Sequence, residues 1–181
     1  MILPDSANVV ILASNYNPSI VSKEWLYKRG IFTETVTNFL HTPVFALVES
    51  ADFVLTVDEG RLQFTVKKVT QDNLRVSSGV AERFVEILPE TPYKSIGLNY
   101  HYVVPRESCA LDTILSPNDT KLSELLSSTY ELGATIVFEF DGFIVTFRVS
   151  PSRGIENQIR MSFNFHSDAS NVGEVKARLS S

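Results

Sequence analysis

The sequence predicts an α+β protein with a mostly antiparallel sheet and with helices packed on one face. Strand-like segments follow one another through short turns, which is typical of antiparallel pairing. Several of these segments also alternate apolar and polar residues with a period of two, so each strand has one face toward a core. With 181 residues, we expect one domain that spans residues 1–181.

The N-terminal part, residues 7–30, predicts a strand followed by a short helix. The apolar run that starts at Asn8 ends in an Asn-Tyr-Asn-Pro sequence, which is a typical turn. Ser22 is a good N-cap and Gly30 is a good helix terminator. Residues 31–42 are rich in Thr, β-branched and aromatic residues, which favours extended structure.

The middle of the chain predicts four strands and one helix. The predicted strands are 44–49, 52–57, 62–69 and 94–104. Apolar residues at helical spacing predict a helix that is capped by Ser77 or Ser78 and ended by Pro89. We expect Gln71-Asp72-Asn73 to break the sheet before this helix.

The clearest hairpin lies in the last third, where Asp141-Gly142 suits a type I′ turn. Its predicted register places Phe140 opposite Phe143, Phe138 opposite Val145, and Ile136 opposite Phe147. A sheet face that is this aromatic must be covered by a helix or by another chain.

A loop, two helices and one strand complete the predicted elements. A loop over 105–115 contains Cys109, and a helix from Ser116 to near Gly133 follows it. Its expected inward residues are Leu122, Leu125 and Leu126. A strand over 159–166 and a helix from about Asn171 end the chain.

Two short stretches, Gly97–His101 and Ser162–His166, resemble each other. Both consist of a small residue, an apolar residue, Asn, an aromatic residue and His, and each precedes a loop and a helix. We therefore predict two unequal β-β-β-α repeat units, 43–130 and 134–181, because one unit alone leaves an apolar face exposed.

Composition excludes several classes of protein. The net charge is −5 and the basic residues are scattered, which argues against a nucleic-acid partner. No apolar run approaches the roughly 20 residues that a membrane span needs. The lone Cys109 cannot form an internal disulfide, and we see no signal peptide, so we expect a cytoplasmic protein.

The candidate ligand-binding residues are His101, His166, Asn99, Asn164 and Tyr100. The two His form either a paired metal or general-base site, or separate hydrogen bonds to neighbouring strands. No zinc, nucleophile-elbow or phosphate-loop motif occurs. We therefore assign no catalytic residue, no metal and no cofactor.

The leading functional hypothesis is a non-enzymatic interaction or assembly module that forms a homo-oligomer or binds a protein partner. The alternative is a small-molecule-binding protein or enzyme with an apolar cavity between sheet and helices. A third hypothesis is a chaperone-like binder that pairs extended peptides with an open edge such as 44–49. The outward residues Val103, Val137 and Ile144 predict apolar spots on the second sheet face.

Overall fold

The computed structural model describes residues 4–106, 122, 124–126, 132–152 and 157–180. Within these ranges, nine strands form one antiparallel sheet and three α-helices pack on one of its faces. The predicted α+β class, the antiparallel sheet and the placement of the helices are confirmed.

The strands are β1 (Ser6–Ala13), β2 (Asn38–His41), β3 (Phe45–Glu49), β4 (Phe53–Asp58), β5 (Arg61–Val66), β6 (Tyr93–Pro105), β7 (Ala134–Phe140), β8 (Phe143–Pro151) and β9 (Gln158–Asp168). The helices are α1 (Lys23–Lys28), α2 (Gln71–Ile87) and α3 (Val172–Leu179), with a 3-10 turn at Pro18–Ile20. The strand order across the sheet is β2-β3-β4-β5-β1-β6-β9-β8-β7.

The sheet divides topologically at the central β1–β6 pair. In one half the chain runs from β1 to the edge strand β2 and returns through β5, which pairs with β1. In the other half it runs from β6 to the edge strand β7 and returns through β9, which pairs with β6. The predicted repeat of 43–130 and 134–181 is not confirmed, because this division falls between β1 and β6.

The main core lies between the helices and the strands β1, β3, β4, β5 and the first part of β6. Phe84 of α2 is 1 % exposed. Its ring meets Trp25 and Tyr16 edge-on, with centroid distances of 5.7 and 6.5 Å. On α3, Lys176 Nζ lies 3.2 Å from Glu82 and also contacts Glu86, so these two ion pairs join α3 to α2.

Local capping signals place α1 as predicted but place the start of α2 earlier than predicted. Ser22 Oγ accepts the Trp25 N–H, and Gly30 has a φ of 64°. The cap of α2 is Thr70, whose hydroxyl accepts the Asn73 N–H at 3.1 Å. The sheet is interrupted at residues 71–73 as predicted, but the predicted cap at Ser77 or Ser78 is wrong, because Asp and Asn are favourable in a first turn that follows a Thr cap.

The β7–β8 hairpin has the predicted register, with Phe140 opposite Phe143 and Phe138 opposite Val145. Both turn residues, Asp141 and Gly142, have positive φ (48° and 74°), which is the type I′ conformation. Arg178 of α3 donates to the Asp141 carbonyl and thereby fixes the turn to the helix layer.

Part of the predicted 116–133 helix, and the loop with Cys109, lie outside the described residues. Leu126 N–H donates to the Leu122 carbonyl, so that turn is helical. The expectation that Leu125 and Leu126 point inward is wrong for the described part, where they are 81 % and 45 % exposed. No helix in the described ranges is both long enough and apolar enough to cross a membrane.

Candidate functional site

The sheet face opposite the helices, here called the open face, has no described helix packed on it. Along β1 the residues alternate, with Val9 buried toward the helices and Val10 on the open face. The predicted apolar spots lie on this face: Val103, Val137 and Ile144 are 39, 62 and 52 % exposed. These three apolar side chains are therefore exposed on the open face.

Three asparagines form a row across the centre of the open face. Asn99 stands opposite Asn8 on one side and opposite Asn164 on the other. The Asn99 amide donates to Asn8 at 2.8 Å, and the Asn164 amide donates to Asn99 at 2.6 Å. The row joins β1, β6 and β9, so part of the hydrogen-bonding capacity of Asn99 and Asn164 is used within the sheet.

The two candidate histidines lie on opposite sides of this asparagine row. His101 stands opposite Ser162, whereas His166 stands opposite Gly97. Four strand positions therefore separate them, which is about 14 Å between Cα atoms. The paired-His hypothesis is wrong for this structure. Each His lies two residues after its Asn, and because β6 and β9 are antiparallel, the two His lie in opposite directions from the Asn99–Asn164 pair.

His166 has its own neighbour, since its Nε2 lies 3.6 Å from a carboxylate oxygen of Asp168. In the described part of the chain, no group of three or more His, Cys, Asp or Glu side chains is placed to hold a metal. The geometry therefore offers His101 and His166 as two separate polar groups.

Tyr100 lies on the other face of the sheet. Its ring meets Phe165 edge-on, with a centroid distance of 5.9 Å and an interplanar angle of 86°. Burial raises the pKa of the Tyr100 hydroxyl, and neighbouring Tyr102 adds to the rise. Tyr100 therefore does not share a site with His101, because alternation puts the two side chains on opposite faces of the sheet.

A concavity of about 580 Å³, here called the basin, lies at the end of the open face. Its walls include His101, which was predicted, and Arg148, Arg160 and Ser162, which were not. The period-two pattern already places Arg148 on the outward side of its strand, but the pattern does not identify the neighbours on β6 and β9. Those neighbours depend on strand order.

The two edges of the sheet are β2 and β7. Residues 44–49 are not an edge, because β3 pairs with β2 on one side and with β4 on the other. The edge that was named as an example for the chaperone hypothesis is therefore wrong. The sequence predicts Asn38–His41 only as part of an extended segment and not as a separate strand. The true edge strand is therefore β2, which lies outside the predicted edge at 44–49.

The outer edge strand β7 is apolar and accessible. Its large exposed side chains are Ile136 (40 %), Val137 (62 %), Phe138 (41 %) and Phe140 (61 %). The first, third and fourth belong to the helix-facing side of the sheet, where Phe147 and Phe163 stack at 4.6 Å. Val137 belongs to the open face.

No protein-family model and no curated protein matches this sequence. Among the described residues, the basin and the β7 edge both differ in chemistry from an ordinary solvated sheet.

Proposed function

We propose that this chain is a non-enzymatic assembly module whose β7 edge pairs with β7 of a second copy. The supporting observation is the exposure of four large apolar side chains on a seven-residue edge strand. The lone Cys109 fits a reducing compartment, and we propose a cytoplasmic location on that ground.

The β7 edge lacks the features that normally protect an edge strand from pairing. Such edges carry Lys, Pro or a bulge, or they are very short. The segment Ala134–Phe140 contains none of these residues and has one charge, at Glu139. The opposite edge, Asn38–His41, is only four residues long. Pairing is therefore favoured at β7.

The turn fixes which backbone groups of β7 are free. In a two-residue turn the carbonyl of Phe140 accepts from the N–H of Phe143, so Phe140 directs its backbone groups toward β8. Alternation along the strand then directs the backbone groups of Thr135, Val137 and Glu139 outward. An antiparallel partner strand would make about six hydrogen bonds with them.

The strand is complementary to itself when Val137 lies on the twofold axis. Thr135 then faces Glu139 of the partner subunit, so a hydroxyl meets a carboxylate on the open face. On the other face, Ile136 meets the partner's Phe138, and Ala134 meets the partner's Phe140. A register centred on Glu139 is disfavoured, because it would set two carboxylates opposite each other.

The test is the mass in solution, measured by analytical ultracentrifugation over a range of micromolar concentrations. We expect the wild-type chain to reach twice its monomer mass of 20.2 kDa. Val137→Lys should give a monomer, because it sets two ammonium groups against each other at the axis. Leu40→Lys is the matched control, because Leu40 is a 51 % exposed residue on the opposite edge strand.

A proline variant separates backbone pairing from side-chain effects. The Val137 N–H points away from β8, so Val137→Pro should abolish the dimer while the fold is retained. Phe138→Pro should instead destabilise the hairpin, because it removes a donor to β8. A monomeric wild-type chain, or a dimer that survives both Val137 variants, would overturn the proposal.

A further inference from the structure

We propose that the basin on the open face binds a small molecule that carries a phosphate group. This inference goes beyond the assembly function and does not depend on it, because the donor groups lie on β6, β8 and β9 of one chain. A volume of about 580 Å³ is within the range of pockets that hold small ligands.

The donors of the basin surround one residue, Ser162 of β9. His101 of β6 stands opposite Ser162 on one side, and Arg148 of β8 stands opposite it on the other. Arg160 is two positions along β9 and therefore points to the same face. It is a diagonal neighbour of both His101 and Arg148, at a spacing of about 7–8 Å that long side chains bridge.

The charges in the basin contrast with those of the whole chain. The chain carries −5, yet the described lining contains two arginines and a single acidic residue, Asp5. The Asp5 carboxylate accepts the backbone N–H of Val103, so it already has a partner. No ion pair or hydrogen bond joins Arg148 or Arg160 to another residue of the described ranges, and both are exposed.

This arrangement favours phosphate over carboxylate. A guanidinium presents two parallel N–H donors that match the oxygens of a phosphate or a carboxylate. Here two such groups, an imidazole and a hydroxyl approach from different strands. A phosphomonoester offers three terminal oxygens to receive them, whereas a carboxylate offers two. The organic part of the ligand would extend along the basin toward Thr135, which is part of its lining.

The experiment is a titration of the full-length chain with phenyl phosphate, followed through its amide signals by NMR at constant ionic strength. We expect saturable shifts around Ser162, and weaker binding of benzoate, which has the same ring with a carboxylate. Arg148→Gln and Arg160→Gln should each raise the Kd about tenfold, because each removes a charge-assisted hydrogen bond. Two separate variants keep the test valid if one of them fails to fold.

Arg61→Gln is the matched control. Arg61 lies on the open face in the other half of the sheet, paired with Asp58 at 3.4 Å, and its loss should leave the Kd unchanged. As an independent readout, phenyl phosphate should raise the Tm of the wild-type chain but not that of the double Arg variant. Shifts that do not saturate, equal binding of benzoate, or an equal loss in Arg61→Gln would each overturn the inference.

Discussion

A single cysteine at position 137 tests the proposed β7 pairing at the level of one residue. In the self-complementary register, Val137 faces its own copy as a hydrogen-bonded antiparallel pair, with Cα atoms about 5.5 Å apart. A disulfide requires a Cα separation of about 4.4–6.8 Å. Val137→Cys in a Cys109→Ser background should therefore link two chains. The matched variant, Thr135→Cys, has the same outward direction, but its two copies would lie about 14 Å apart.

The assay is mild oxidation followed by electrophoresis without reductant. We expect a band of covalent dimer for Val137→Cys and a far slower reaction for Thr135→Cys. An equimolar mixture of Thr135→Cys and Glu139→Cys chains should link to each other, because these two positions face each other across the axis. If Thr135→Cys alone links as fast as Val137→Cys, or if the mixture does not link, the register is wrong.

Three further predictions concern the fold. Phe84→Ala should lower the free energy of unfolding by about 3–5 kcal/mol, because it opens a cavity between α2 and the sheet. The measurement is urea unfolding, and a loss of less than about 1 kcal/mol would contradict this packing. Thr70→Ala should lower the free energy of unfolding by about 1 kcal/mol, because Thr70 caps α2. Ser78→Ala should change it by only about a few tenths of a kcal/mol. The opposite ranking would place the helix start at Ser78. Burial raises the pKa of Tyr93 from 10.0 to about 12. The contribution of Tyr93 to stability should therefore be complete below pH 10 and should be lost as pH rises from 10 toward 12, because the phenol of the unfolded chain releases its proton first. Unfolding measured against pH should show a shallower alkaline decline for Tyr93→Phe, and an unchanged slope would contradict the assigned shift.

Local signals account for most of the correctly predicted fold. The Asp141-Gly142 turn fixed the register of its hairpin because both residues tolerate positive φ. Ser22 likewise located the start of α1. The start of α2 was missed because Thr70 and Ser77 are both acceptable caps. The first residues of α2 are polar, so the spacing of apolar residues does not show that the helix begins before Ser77. In the structure Ser77 instead bonds the Leu74 carbonyl within the helix.

The candidate site was less predictable, for a different physical reason. A period of two reveals which face a side chain occupies, and it correctly placed Asn99 and His101 together. It does not reveal which strands are neighbours. Strand order and register determine that His101 lies far from His166 and that Arg148 lies opposite Ser162. These depend on contacts between distant parts of the chain.

The position of β1 between β5 and β6 has a consequence for folding kinetics. Ala7 pairs with Val66 on one side and with Tyr100 on the other, so the first strand needs two distant partners. The β4–β5 and β7–β8 hairpins need only neighbouring residues and are expected to form within microseconds. Closing the sheet around β1 requires long loops to close first, which slows such topologies to milliseconds or longer. Until then the edges of β5 and β6 stay open, so the yield of refolding should fall as protein concentration rises.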